Sequence, residues 1–422
     1  MSDDKKDLVH PGDLIAAVKG IFGPNARLLD WQVKQGTETV QGFASLMLRA
    51  KVKVQDNNGP APIEREANLM VKRPPTVAAH AAMLNTMGNI VEREALFFNT
   101  ALPILKERCP ELPVVKPLVC HQDAILMEDL CDLGFETLAK NFSDMAKGEV
   151  LTYPIARMCF RNLAKLHAAS LGTDWRAVMP AGFFDLDTLM EGMAGEQFRM
   201  MIFGSIQASI IPLMRKTKAD MPDLDKYIEY MQSPQLFANM IPFLKYDEKQ
   251  GPNLLLHADC HVNNTMYRLD ETNKPLDMRF IDFQILRYAP PYTDLVNFLY
   301  TGTSQPFRAQ HEKDLVRAYV EAFNAAANVT PDLLDFETFY AGFDKARYYG
   351  VVFAMGIRPM MLASQFQPEM TEVTEELLIE MQTADKTAPT MNAFENDPSF
   401  RREMEELIDH AIQVMKRYVY PE

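Results

Sequence analysis

Positive charge is the first thing this sequence is short of. Its 422 residues carry 43 lysines and arginines against 57 aspartates and glutamates, a formal net charge of −14. Such a surface repels phosphate backbones and anionic headgroups, which argues against nucleic-acid and membrane-surface binding; an anion is held only in a local pocket with its own donors. Long apolar runs are missing too. The stretch from Gly350 to Ile357 is closed off by Arg347 and Arg358, well short of the roughly 20 residues of a spanning helix, so no membrane insertion is expected. The opening residues, MSDDKKDLVHPGD, lack the apolar centre of a secretory signal. Cysteines number five, at Cys109, Cys120, Cys131, Cys159 and Cys260, an odd and scattered set that offers no disulfide framework. These absences together predict a soluble, cytoplasmic protein. Repeats, low-complexity tracts and Gly- or Ser-rich linkers are also lacking. What is there is 47% apolar and 24% charged, a balance that excludes a mainly disordered chain and, at this length, fills roughly two or three packed units.

The period of the apolar pattern changes along the chain. PGDLIAAVKGIFG reads as a short amphipathic helix that stops at Gly23-Pro24. Runs beginning at Leu28, Leu46 and Glu66 read as three antiparallel strands, separated by the turn GTETVQGFAS and by Asn57-Asn58-Gly59 and closed by Pro74-Pro75. NIVEREALFFNTALPILKER has helical spacing, and VVKPLVC and AILMEDL are strand-like. From Leu133 the character is helical, as in ARMCFRNLAKLHAASLG, interrupted by the apolar runs LLLH and MRFID. This order predicts an α/β (α+β) bilobal fold, with a β-rich N-terminal lobe over residues 1–130 and a larger helical lobe over 131–422.

The strongest chemical signal is His257-Ala258-Asp259-Cys260-His261-Val262-Asn263-Asn264, followed by Asp282-Phe283-Gln284. Each piece ends a strand-like run, which predicts that both carboxylates emerge near the ends of adjacent strands. Phosphoryl transfer asks a protein for a carboxylate to take a hydroxyl proton, oxygen ligands for Mg²⁺ and a cation over the phosphates. Asp259 is the candidate base, and Asn264 and Asp282 are candidate metal ligands. Lys72 ends a strand that precedes a helix carrying Glu94, the arrangement in which a strand lysine anchors phosphates and a helix glutamate fixes it. The turn from Thr39 to Ser45, with Gly42, lies where a phosphate-covering loop belongs, although it is not a GxGxxG loop. The order of these parts, turn, Lys, Glu, strand, HxDxxxxN and DFx, is that of a bilobal kinase.

The segments ASLMLR, LMVKRPP, VEREALFFNTALPIL, ILMEDL, LAKLHAAS, LLLHADCHVNNTMY, FIDFQ and APPYTDLVNFL together resemble the ecdysteroid kinase-like family, which belongs with choline kinases and aminoglycoside phosphotransferases. The resemblance runs from about residue 28 to 300. It implies ATP- and Mg²⁺-dependent phosphorylation of a hydroxyl on a small organic molecule, with ecdysteroids the best-known acceptors. It makes Asp259 the catalytic base of a loop at 257–264, Asn264 and Asp282 the Mg²⁺ ligands, and Lys72 with Glu94 the phosphate-anchoring pair. Gly42 and Ser45 fall in the phosphate-covering turn, and Met127, Glu128, Asp129 and Leu130 form the hinge that meets adenine. One position departs from the family pattern: Ala258 stands where Gly is usual, and its methyl group fits only if no positive φ is required there.

The acceptor is expected to be small rather than a protein. Asp282 is followed closely by Pro290-Pro291-Tyr292-Thr293-Asp294-Leu295, where a helix begins, and no APE motif follows. Zinc on His257, Cys260 and His261 lacks a further Cys or His pair at ligand spacing. His167, with Leu163 and Leu166 on one helix face, reads as a packed, hydrogen-bonded histidine. Methionine is abundant at 27 residues; the groups at Met190, Met193, Met200 and Met201, and at Met355, Met360 and Met361, are core by default, or line an adaptable apolar acceptor pocket. Alternative readings are a choline- or aminoglycoside-type or xenobiotic-detoxifying phosphotransferase, and a pseudokinase that has kept the nucleotide pocket without turnover.

Overall fold

Local chemistry sets the first elements. α1 (Pro11–Phe22) begins at His10, whose Nδ1 accepts a hydrogen bond from the Gly12 N–H at 3.1 Å, and it ends at Gly23, whose φ of 96° favours glycine. β1 (Arg27–Gln35), β2 (Leu46–Asp56) and β3 (Ile63–Arg73) then form an antiparallel meander. In β2, Leu48, Ala50, Val52 and Val54 are buried while Lys51 and Lys53 are exposed, the period-two pattern that marked it as a strand. The protein is described here by a computed structural model covering residues 5–36, 45–76, 89–185, 199, 200, 202–249, 252–363 and 386–420.

α2 (Ile90–Leu96) is capped by Asn89, passes through a π-helical turn at Phe97–Ala101, and continues as α3 (Leu102–Arg108). β4 (Pro117–His121) and β5 (Ala124–Glu128) complete a five-stranded sheet in the order β1-β2-β3-β5-β4. β5 inserts beside β3, which places Ile125 opposite Lys72. One face of this sheet, with Leu48, Val52, Leu69 and Leu126, packs with Leu14 and Val18 of α1. Ile125 and Met127 point the other way and join the core that runs through α2 and the helical region.

The helical lobe is larger. α4 (Tyr153–Ser170) lies at its centre, with eleven of its residues from Ile155 to Ser170 buried. Two short ribbons carry the loops: β6 (Leu254–Leu256) pairs with β9 (Arg287–Ala289), and β7 (Thr265–Leu269) pairs with β8 (Pro275–Phe280). The expectation of adjacent strands therefore needs correcting. LLL and MRF lie in separate ribbons, and what joins their ends is the His257 ring Nε2–H donating to Ile281 O at 2.9 Å and Ile281 N donating to Asn264 O at 3.1 Å. The longer helices that follow are α5 (Tyr292–Gly302), α6 (Gln305–Ala327), α7 (Phe336–Ala363) and α8 (Pro398–Val419). Among the described residues, no helix is long and apolar enough to cross a membrane.

A buried ion pair fastens α8 to this lobe. Arg358 of α7 is 2% exposed, and its guanidinium donates to Glu403 Oε2 at 2.5 Å, Ala146 O at 2.6 Å and Thr303 O at 3.0 Å. Removing one partner strands the other charge without solvent, whereas removing both does not. Arg358→Met is therefore expected to lower stability by about 3–5 kcal/mol in urea unfolding. The double variant Arg358→Met, Glu403→Leu should recover most of that loss; equal losses in both would reject the assignment.

Candidate active site

The centre of the site is an ammonium in a nearly dry place. Lys72, at the end of β3, is 3% exposed and pairs with Glu94 Oε2 of α2 at 2.6 Å and Asp282 Oδ1 at 2.8 Å, and it donates to Gln284 Oε1 at 3.2 Å. Burial acts to lower the pKa of this ammonium, but the carboxylates of Asp282 and Glu94 override it and hold the proton more tightly than in water. Burial pushes the Glu94 carboxyl upward against the pull of Lys72. The 2.6 Å contact, together with a 3.0 Å hydrogen bond from Phe283 N–H to Glu94 Oε1, keeps the pair ionic.

Asp282 adopts φ 68°, a left-handed bend that aspartate tolerates better than most residues. The bend turns the Asp282 carboxylate toward Lys72 and sends Phe283 toward α2. There the Phe283 ring stacks on Phe97 at 4.0 Å and 12°, with His257 on another side at 4.6 Å. Phe97 belongs to the π-helical turn, so the widened turn supplies the surface on which the loop after β8 rests.

Asp259 is oriented by its own loop. Asn264 Nδ2 donates to Asp259 Oδ2 at 3.1 Å and to Asp259 O at 2.9 Å, while the Asp259 N–H donates to His257 Nδ1 at 3.3 Å. Asn264 Oδ1 takes part in neither bond, and the Asp259 side chain keeps 21% of its exposure. Both nitrogens of His257 are engaged within the loop, and Cys260 is buried with its sulfur 4.0 Å from that of Cys159. Among the described residues, no group of three His, Cys, Asp or Glu is placed to hold a metal.

The departure at Ala258 has a definite answer. Ala258 adopts φ 66°, the conformation that glycine takes without cost and an L side chain resists. What holds it there is Asp294, near the start of α5 and fully buried. Its carboxylate accepts from Ala258 N at 2.7 Å, from His257 N at 2.9 Å and from the His167 ring at 3.1 Å. The other ring nitrogen of His167 meets the Tyr319 hydroxyl at 2.8 Å, so this histidine is packed and fully bonded. Asp294 lies inside the motif PPYTDL but carried no expected role; a carboxylate just ahead of the apolar Leu295 and Val296 in a helix's first turn was the sign of it in the sequence.

The remaining expected residues are placed as follows. Ser45 stands immediately before β2, and Gly42 falls outside the described residues. Met127 and Glu128 end β5, with the Glu128 N–H already donating to Lys116 O at 3.1 Å. The Asp129 side chain is turned into the protein, where it pairs with Arg49 at 2.6 Å and caps Cys131, and Leu130 is buried. Met190, Met193 and Met201 lie outside the described residues, Met200 is 66% exposed, and Met355 and Met361 are buried. Gln284, which shares Lys72, and Arg93, which donates to Gln284 O at 3.2 Å, were not expected from the sequence.

A β-rich lobe whose strand lysine is paired to a helix glutamate, set over a helical lobe carrying HxDxxxxN and DFx loops, defines the kinase-like class of fold. The model of the ecdysteroid kinase-like family matches residues 39–329. The chain belongs to that family. Among solved structures it is similar to an ethanolamine kinase from Plasmodium vivax, at 13% identity and a TM-score of 0.40, over 95% of this chain and 87% of that one. A search of curated proteins gives no match.

Asp294→Ala removes the acceptor for two backbone donors and the His167 ring, all buried, and is expected to cost about 3 kcal/mol or more in unfolding experiments. Ala258→Gly should instead raise stability by about 0.5–1 kcal/mol, by relieving the left-handed strain. A glycine variant less stable than the parent would mean that this strain is absent.

Proposed function

We propose that this protein transfers the γ-phosphoryl group of ATP, with Mg²⁺, to a hydroxyl of a small organic molecule. The observation that carries the reading is the convergence of Lys72, Glu94 and Asp282 beside a loop in which Asn264 orients Asp259. In this reading residues 1–130 form the nucleotide lobe, 131–422 the acceptor lobe, and Met127–Leu130 the hinge facing adenine. Gly42 and Ser45 cover the phosphates. The five free cysteines agree with a reducing, cytoplasmic setting.

The donor chemistry suits magnesium. Asp282 and Asn264 offer hard oxygens, two protein ligands that suit an ion which keeps several waters of its own. Held by them, Mg²⁺ would supply positive charge to offset that of the phosphates. The protein's own part is positioning. Lys72, held protonated by Glu94 and Asp282, presents a fixed positive charge to the α- and β-phosphates. Asp259 Oδ1 accepts the proton of the acceptor hydroxyl as the new P–O bond forms and the bond to the ADP oxygen breaks. Burial holds the His261 imidazole below its ordinary pKa despite Asp259, whose Oδ1 lies 3.8 Å from its Nε2.

The acceptor favoured is an apolar alcohol of ecdysteroid type, on the strength of family membership; choline, amino sugars and foreign hydroxylated compounds are the other members of the test panel. Asp259→Asn is expected to reduce phosphate transfer to the best acceptor by roughly 10²–10⁴-fold, measured by mass spectrometry, with ATP affinity by calorimetry largely kept. Full turnover in that variant would remove Asp259 from the mechanism. A wild type that binds no ATP with Mg²⁺ would make the chain a pseudokinase instead.

A further inference from the structure

A lysine ammonium has only three hydrogens to donate. Lys72 directs them at three different side chains: Glu94 Oε2 at 2.6 Å, Asp282 Oδ1 at 2.8 Å and Gln284 Oε1 at 3.2 Å. The amine is 3% exposed and Gln284 is 7% exposed, so these contacts are made almost entirely inside the protein. A phosphate oxygen therefore bonds to Lys72 by taking a hydrogen that one of the three oxygens holds.

The three holders are unequal. Glu94 makes the shortest contact, and its other oxygen is fixed by the Phe283 N–H at 3.0 Å. Asp282 carries a full charge, and a hydrogen bond with both partners ionised is stronger than one to a neutral acceptor. Gln284 is the longest of the three and the uncharged one. Its main chain, by contrast, is firmly held. Arg93, beside Glu94 in α2, donates from Nε to Gln284 O at 3.2 Å and from Nη1 to Phe183 O at 2.9 Å. The Phe283 ring just before it is stacked on Phe97. The backbone at Phe283 and Gln284 is thus fastened to the helix that carries Glu94, and the weakest contact to Lys72 belongs to a side chain whose loss of that bond disturbs none of these.

We propose that the Gln284 amide is the exchangeable partner of Lys72: it accepts the third hydrogen until a phosphate oxygen takes its place, and it thereby sets how tightly a phosphorylated nucleotide binds. This rests on Lys72 being the phosphate anchor of the reaction proposed above, and it adds a determinant of nucleotide affinity outside the lysine–glutamate pair. The chemistry of an amide suits the task. It satisfies a buried donor, which would otherwise be costly, yet it brings no negative charge to repel the incoming phosphates. A carboxylate at the same place would do both, and an apolar side chain neither.

That contrast is the test. Calorimetry on the full chain, with Mg²⁺ present, compares ATP with adenosine, which lacks the phosphates. Gln284→Met keeps the length of the side chain and removes the competing acceptor, so ATP should bind roughly three- to tenfold tighter. Gln284→Glu should weaken ATP by about tenfold or more. Adenosine affinity should stay within about twofold in both variants, since the effect is on the phosphates and not on the fold. Melting curves check that each variant folds, and the rise in melting temperature with saturating ATP should be larger than in the parent for Gln284→Met and smaller for Gln284→Glu. Either variant decides the matter if the other does not fold. ATP affinity unchanged in a folded variant, shifted the opposite way, or shifted together with adenosine overturns the proposal. Because binding and not transfer is read, these shifts with no phosphorylated product would remove the phosphotransfer reading and leave this one standing. Transfer by the parent with ATP affinity unchanged in the variants would do the reverse, and a parent that binds no ATP overturns both.

Discussion

The ammonium of Lys72 is surrounded by oxygens from three separated parts of the chain, Glu94 of α2, Asp282 and Gln284. A lone charge at 3% exposure would be severely destabilising, and any one of these oxygens by itself would leave it poorly compensated. The requirement to bring them together fixes the relative placement of the sheet, α2 and the loop after β8. It also couples the two lobes, because the lysine comes from one and Asp282 and Gln284 from the other. The stacking of Phe283 on Phe97 and the bond from Phe283 N to Glu94 hold the same three elements from the apolar side.

Asp294 does for the loop at 257–264 what Lys72 does for the lobes. A carboxylate with no exposure must have all its oxygens engaged, and the donors that engage it are the backbone of His257 and Ala258 and the ring of His167. That concentration of hydrogen bonds is what lets an alanine sit at φ 66°, a conformation local preference disfavours. Strain at the loop and rigidity beneath it are two aspects of one arrangement, and they hold Asp259 with part of its surface open.

Charge is distributed unevenly for the same reason. The chain as a whole is acidic, yet near the loop at 257–264 the acids are engaged by one lysine, one asparagine, the His167 ring and the backbone, and the Arg93 guanidinium meets the carbonyls of Gln284 and Phe183 and the Phe183 ring. Net charge describes how the whole surface repels anions; it says nothing about a recess where desolvation raises the weight of each local cation.

Much of this was legible before any coordinates. Period-two alternation in β2 and the proline stop after Lys72 marked the sheet, and the spacing of Asp259, Asn264 and Asp282 marked the loops, because backbone geometry and short-range hydrogen bonding are local properties of a sequence. The pairing of LLL with β9 rather than with MRF was not legible, since short apolar strands carry no label for their partners. The buried turn of Asp129 toward Arg49 and the clamp at Asp294 were hidden for a related reason: each depends on which side chains from distant segments arrive within about 3 Å. The sequence alone determined the order of elements and the chemical types available at each loop. Only the tertiary structure decided which charges are buried and which partners neutralise them, because burial and partnership are properties of neighbours in space, not of neighbours along the chain.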